Sequence, residues 1–305
     1  AEKTENGREK MIPVKFKSLD SVDVLYDEMI KNISKKNAAM MDNIDQWCRK
    51  ELDRSLEYII KADYEELENI RARYDNLPAG TIPPESDPRY NTYKKFMIET
   101  LYKRKFPRKR FVEELQVTVC PYCNRNFVNS TYKRTMCDLE HFFDKAKYPI
   151  FAVSFYNLIP VCHPCNHVKA SGKISYSPHN PRYTTDELLI FDYFITGADF
   201  LRDAQQISIE IDYDQAKFGK NVQVLKLNEV YQIHTDLVQE CIKKATIFNK
   251  EYLQELYRTY PELFESEEEV YRIVFGNYEK EEDYGKRPLS KLTKDIIQEL
   301  WEYSG

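Results

Sequence analysis

Glycine is scarce in this chain, at 8 of 305 residues, well under the usual share near 7%. So few positive-φ positions leave little room for tight two-residue hairpin turns. The abundance of Lys, Glu, Leu and Ile points instead to helices. Long apolar runs are missing too. The longest, from Tyr148 to Cys162, is broken by Pro149, Ser154, Asn157 and Pro160, so no membrane span is expected. Neither GxxxxGKS nor GxxxxGKT occurs, so there is no Walker-type phosphate loop and the chain is not expected to hydrolyse ATP by itself. The opening AEKTENGREK shows no charged-then-apolar leader pattern. It reads as a tag or disordered lead-in over 1–10, with Met11 as the natural start and the cytoplasm as the expected compartment.

What is present is ample for folded structure: 42% apolar residues for a core and 31% charged residues for a solvated surface. The net charge of −5 conceals a segregation. From Leu101 to Tyr183 there are 14 Lys and Arg against 5 Asp and Glu, a net of +9, which leaves −14 for the remainder. Between Ser18 and Asn76, apolar residues recur at helical spacing (Val22, Leu25, Met29, Ile33, then Ile44, Cys48, Leu52, Leu56), predicting two or three amphipathic helices whose stripes are core. LPAGTIPPESDPR at 77–89 carries four prolines and a glycine, enough to end helices and mark a boundary. Tyr90 to Arg104 returns to helical character. YKRKFPRKR then places six basic residues in nine positions: Lys103, Arg104, Lys105, Arg108, Lys109 and Arg110. Such a run is ordinarily a solvated face, but its position beside a cysteine module and its interleaved Phe106 and Phe111 favour a phosphate-contacting edge. FVEELQVTV predicts a strand leading into Cys120.

Two CxxC pairs, Cys120 with Cys123 and Cys162 with Cys165, stand 38 residues apart. Each such turn offers two thiolates to one tetrahedral ion, and two turns complete a closed four-cysteine zinc site with no open position, hence a structural one. A redox dithiol would need only one pair. Cys137 is a spare thiol nearby. Structural zinc supplies roughly 10–16 kcal/mol of apparent binding free energy, enough to hold an irregular module with little core.

Between the pairs lie Asp138-Leu139-Glu140-His141, read as the end of a strand, then Asn157-Leu158, and then Asn166 and Lys169 after Cys165. If the second pair opens a helix, Asn166 and Lys169 share a face. The series CPYC, LEH, YNLIPVC and CNHVK resembles the zinc-stapled branch of the HNH nucleases, a ββα-metal fold that cleaves phosphodiesters with one divalent ion and one histidine. The resemblance implies that Glu140 and Asn166 bind the catalytic ion, that His141 is the general base, and that Asn157 bonds loop backbone and keeps His141 oriented. Glu140 stands where Asp is commoner and Asn166 where His is common, so the implied ligands are all oxygen, favouring Mg²⁺ or Mn²⁺. More narrowly, LEHFFDKAKYP with NLIPVCHPCNHVK is similar to PtuB-like bacterial anti-phage defence nucleases, which implies an ATPase partner.

The remaining residues are ranked by context. Lys145 and Lys147 are phosphate-contact candidates, and Lys169 is divided between phosphate contact and helix solvation. His163 is read as solvent-facing, His167 as a flanking ligand candidate, His179 as a loop residue and His234 as part of a helical stripe. Ile207–Asp214 alternates as a strand, and Val222–Tyr260 is helical. Thr246–Asp283 holds 11 acidic against 4 basic residues, a face that repels nucleic acid and is either solvated or partner-binding. The expected architecture is α+β and mostly helical: a lead-in over 1–10, a helical region over 11–89, a central HNH domain with its four-cysteine zinc site over 90–185, and a mostly helical region over 186–305. The expected function is endonucleolytic cleavage of nucleic acid, with DNA favoured and RNA, including tRNA, as the second target. The alternative is a non-catalytic zinc module that binds nucleic acid or a protein.

Overall fold

The computed structural model describes residues 14–302 except 19, 32, 132–134 and 171, so the lead-in over 1–10 lies outside the described residues. The chain is mixed α+β and mostly helical, with two small two-stranded sheets. It divides into two compact units, one formed by 14–116 with 129–160 and the other including 117–128 and 161–302.

In the first unit, α1 (Ser21–Ile30), α2 (Lys35–Leu52), α3 (Leu56–Lys61) and α4 (Tyr64–Asp75) occupy the stretch in which periodicity predicts two or three helices. The extra helix break is local chemistry. Ser55 accepts from the Tyr58 N–H and Asp63 from the Glu66 N–H, so short polar side chains start new helices inside one apolar pattern. Asp87 caps α5 (Pro88–Lys95), whose first residue is the proline that a first helical turn tolerates. A π-helix over Phe96–Lys105 follows, and then α6 (Arg108–Glu114). The strand expected over FVEELQVTV is therefore helical in its first half. Lys109 with Glu113 and Arg110 with Glu114 pair one turn apart, and Phe111 and Val112 are buried on the same helix, so helical pairing and burial override β-branched propensity. Strands β1 (Asp138–His141) and β2 (Leu158–Val161) pair, and the irregular stretch between them carries two 3₁₀ turns. The core is aromatic: Phe111, Phe151 and Phe155 are fully buried, with Phe106 packed on Phe111 and Phe155.

In the second unit, α7 (His163–Lys169) follows β2 directly in the chain. The antiparallel hairpin of β3 (Leu189–Ile195) and β4 (Ile207–Tyr213) runs in register from Leu189 opposite Tyr213 to Ile195 opposite Ile207. Leu189, Phe191, Ile207, Ile209 and Ile211 are buried, as expected for an alternating strand with one covered face. Around it are α8 (Gly219–Leu225), α9 (Leu227–Tyr231), α10 (Thr235–Ile247), α11 (Lys250–Thr259), α12 (Glu267–Phe275) and α13 (Ser290–Glu302). The Phe191 N–H donates to Asp295 of α13 at 2.9 Å, which ties hairpin to helix. Among the described residues no helix is long and apolar enough to cross a membrane.

Candidate metal centre and candidate base

Residues 117–128 fold back on themselves. Val119 bridges Phe127, the Cys120 N–H donates to the Asn126 carbonyl at 2.8 Å, and the Val128 N–H donates to the Thr118 carbonyl at 2.7 Å. The turn closes when the Asn124 N–H donates to the Cys120 carbonyl at 2.8 Å, with Asn124 in the left-handed region at φ 46°. Asparagine tolerates that conformation better than most residues. Its side chain is fixed as well, donating to the Tyr284 carbonyl at 2.8 Å and accepting from the Lys291 N–H at 3.2 Å. The second pair is set by a helix start: Cys162 is the N-cap of α7, Pro164 lies in its first turn, and Cys165 follows.

All four thiols are buried, and their sulfurs lie within 4.8 Å of one another. Cys123 and Cys162 are 3.9 Å apart. Four sulfurs each about 2.3 Å from one zinc ion sit roughly 3.8 Å from each other, so the cluster fits that ion. The Asn126 amide lies 3.5 Å from the Cys162 sulfur and 3.9 Å from that of Cys123, an outer donor that quiets thiolate charge. Hydrogen bonds from the Cys120, Cys123 and Cys165 thiols hold Cys162 far below the ordinary thiol range, while burial drives Cys120 far above it. The opposed shifts belong to one proton-sharing cluster, in which the hydrogen bond of Cys120 also holds Cys123 below the thiol range. A divalent cation replaces those shared protons. Cys137 stands outside the cluster, its thiol pushed up to about 12 by burial and by Asp138.

The candidate base belongs to the other unit. Asn157, fully buried, spans the loop between β1 and β2. Its Oδ1 accepts from the Phe143 N–H at 2.7 Å, and its Nδ2 donates to the carbonyls of Phe143 at 3.1 Å and Phe151 at 3.0 Å. Its own carbonyl accepts from the Phe142 N–H at 2.9 Å. His141, the last residue of β1, is 5% exposed, and the preceding Glu140 is 6% exposed. The His141 Nε2 lies 3.0 Å from the Ala152 carbonyl. A carbonyl only accepts, so the proton sits on Nε2 and the lone pair on Nδ1. Lys145 Nζ lies 3.3 Å from that Nδ1. The Tyr102 ring meets the imidazole edge-on at 4.5 Å between centroids, and its hydroxyl donates to the Leu139 carbonyl at 2.9 Å. Arg108 stacks on the Tyr102 ring at 4.2 Å and reaches its hydroxyl at 3.3 Å. Burial holds Lys145 below the usual ammonium range; Asp144 and Glu140 oppose that shift, and Arg108 and Lys103 reinforce it.

Other basic candidates are differently engaged. Lys103 pairs with Glu99, Lys109 with Glu113, Arg110 with Glu114, and Lys147 with Asp75. Arg104 is exposed and Lys105 half-buried at the end of the π-helix. Asn166 and Lys169 lie on α7 in the second unit, and Lys169 is 5% exposed. The histidines His163 and His167 stack on that helix at 6.3 Å, and His234 accepts from Arg125 at 2.9 Å. Sequence reading overlooks Tyr102, Ala152 and Asn126. Tyr102 heads the basic run, and an aromatic among cations is the one signal it gives. No protein-family model, curated protein or solved structure matches the chain.

Proposed function

We propose that the chain is a zinc-stapled module that engages nucleic acid and that His141 makes it a phosphodiesterase of the HNH kind. The supporting observation is the imidazole fixed in one tautomer. Nε2–H is committed to Ala152, and Nδ1 lies 3.3 Å from Lys145, with Arg108 on the neighbouring Tyr102 ring. A basic nitrogen of defined direction beside positive charge suits proton removal from a water attacking an anionic phosphodiester. Nδ1 takes the proton, the water oxygen bonds to phosphorus, and the bond to the 3′ oxygen breaks; that oxygen takes a proton from solvent water, leaving a 5′-phosphate and a 3′-hydroxyl. A Mg²⁺ or Mn²⁺ ion, when bound, supplies charge neutralisation at the phosphate and the leaving oxygen. Its assignment to Glu140 and Asn166 rests on the sequence resemblance. DNA is the favoured polymer, with RNA second, and an ATPase partner from a bacterial defence system belongs to the same resemblance.

The second reading is a non-catalytic zinc module. The closed four-cysteine cluster favours it, since such a site supports folding and recognition without chemistry. The test is incubation of the purified chain, and of His141→Ala checked for retained zinc and fold, with plasmid DNA and total RNA in Mg²⁺ and then Mn²⁺. Cleavage lost in the variant supports the nuclease. Binding without cleavage by either protein, also with the ATPase partner added, supports the module.

A further inference from the structure

We infer that Lys145 is a substrate-released latch on His141 and that Tyr102, Arg108 and Lys145 form the phosphate seat that releases it. This rests on the nuclease reading for its purpose, but its geometry is independent of turnover. The Nδ1 lone pair that would accept a proton is engaged by Lys145 at 3.3 Å. While the Lys145 amine points there, Nδ1 has no direction left for water. Lys145 does not sit comfortably in that place. Burial outweighs the Asp144 and Glu140 carboxylates that support its charge, and Arg108 and Lys103 press on it as well. A lysine in such surroundings gains most from an anion.

The seat for that anion is built on one aromatic ring. Tyr102 lies on the π-helix, a geometry that places side chains off the α-helical register and recurs at functional sites. Its ring carries Arg108 at 4.2 Å and has Lys145 Nζ at 5.5 Å, with His141 against it at 4.5 Å. Its hydroxyl is locked between the Leu139 carbonyl and Arg108, so the ring is a fixed platform. A phosphodiester entering between Arg108 and Lys145 exchanges a neutral nitrogen acceptor for a charged oxygen, the stronger partner for an ammonium. Lys145 swings to the phosphate and Nδ1 is uncovered where the attacking water is needed. The base is thus held off until a backbone phosphate arrives. Lys145 donates a hydrogen bond to Nδ1 before the exchange and to the phosphate oxygen after it, so the exchange itself transfers no proton.

Ring ¹⁵N spectra of the full chain labelled at histidine test this directly. The chain has five histidines, and His141→Asn assigns the resonance in question. Without added divalent ion, the Nδ1 resonance of wild type is expected to differ from that of Lys145→Met. A 12-nucleotide DNA strand, its binding followed separately by fluorescence anisotropy, moves the wild-type resonance toward the variant position and leaves the variant unmoved. Lys145→Arg restores the wild-type position. Identical resonances in wild type and Lys145→Met overturn the latch, and so does a wild-type resonance that stays in place at saturating DNA. A chain that binds no nucleic acid overturns the parent reading, while the comparison of the two proteins without DNA still decides whether Lys145 holds Nδ1. Where cleavage is measurable, Lys145→Met raises KM about tenfold with kcat held or increased. A tenfold fall in kcat at unchanged KM contradicts the mechanism.

Discussion

Replacing Asn157 tests how the loop around the candidate base is held. The side chain satisfies one buried N–H and two buried carbonyls at once, at a site where both Asn157 and Phe151 are fully buried. In Asn157→Ala the Phe143 N–H loses its acceptor, at about 1–3 kcal/mol for a buried unsatisfied donor. The two carbonyls each keep a second lone pair and lose less. Together the loss is about 3 kcal/mol, or on the order of 10 °C in the melting temperature of a unit this size. Asn157→Asp separates hydrogen bonding from volume. One carboxylate oxygen still accepts from Phe143, while the other points at two carbonyl oxygens, so near neutral pH this variant is expected to be at least as destabilised as Asn157→Ala. Acid should rescue it. The folded state raises the carboxyl pKa, so relative stability falls as pH rises from the unfolded value near 4 and is recovered below it. The chain has two tryptophans. In a Trp301→Phe background Trp47 alone reports this unit in urea, with zinc content as a control. If both variants unfold within 0.5 kcal/mol of the parent at pH 7, the clasp contributes nothing and the reasoning fails.

Cys162→Ser should drop bound zinc well below one equivalent by elemental analysis and lower the melting temperature by many degrees, because a site worth roughly 10–16 kcal/mol loses one of its four thiolate ligands. An unchanged metal content would remove Cys162 from the site. Lys291, 2% exposed, lies 2.7 Å from the buried Asp295 and 2.6 Å from Asp186. Lys291→Met leaves a buried carboxylate short of its main cation and should cost about 3 kcal/mol in urea unfolding, and a loss under 1 kcal/mol would mean that Lys294 compensates. Burial, then the charge and hydrogen bond of Asp192, then Glu302, raise Glu299 to about 7. A carboxyl raised in the folded state contributes stability that is present below its unfolded pKa and lost as pH climbs toward 7. Glu299→Gln should therefore raise the melting temperature at pH 8 but not at pH 4, by on the order of 1 kcal/mol after solvent screening, and an equal gain at both pH values would exclude titration as the cause.

The metal cluster was legible because its geometry is local twice over. Each CxxC is a turn whose two thiols converge by chain geometry, and only the meeting of the turns is a tertiary event. The strand over Ile207–Tyr213 was legible for a related reason, since ISIEIDY repeats with period two. Its partner LIFDYFI was less so, because it is nearly all apolar or aromatic and a periodicity argument has nothing to alternate. The failure at FVEELQVTV was a choice between two local signals. β-branched Val at 112, 117 and 119 spoke for a strand, while Lys109 and Arg110 placed four before Glu113 and Glu114 spoke for a helix. The helix holds as far as Glu114, where the ion pairs end.

The surround of His141 was out of reach for a different reason. Tyr102 and Ala152 reach His141 from stretches 39 residues before and 11 after it in the chain, and nothing in their spacing announces it. Counting charge also misled in degree. The segment 101–183 is strongly basic by composition, yet Lys103, Lys109, Arg110 and Lys147 each have an acidic partner within 3.3 Å. Exposed pairs of that kind cost little to break, so those lysines and arginines remain usable by a phosphate, but they present less field to an approaching one than their number suggests. Arg108 is placed otherwise, on the Tyr102 ring, while Lys145 reaches the His141 imidazole with the Asp144 and Glu140 carboxylates also acting on it. A cation whose partners are weak acceptors gives up little when an anion arrives. On the nuclease reading proposed above, position, more than the excess of nine charges, selects Arg108 beside Tyr102 as the place where a backbone phosphate would gain the most.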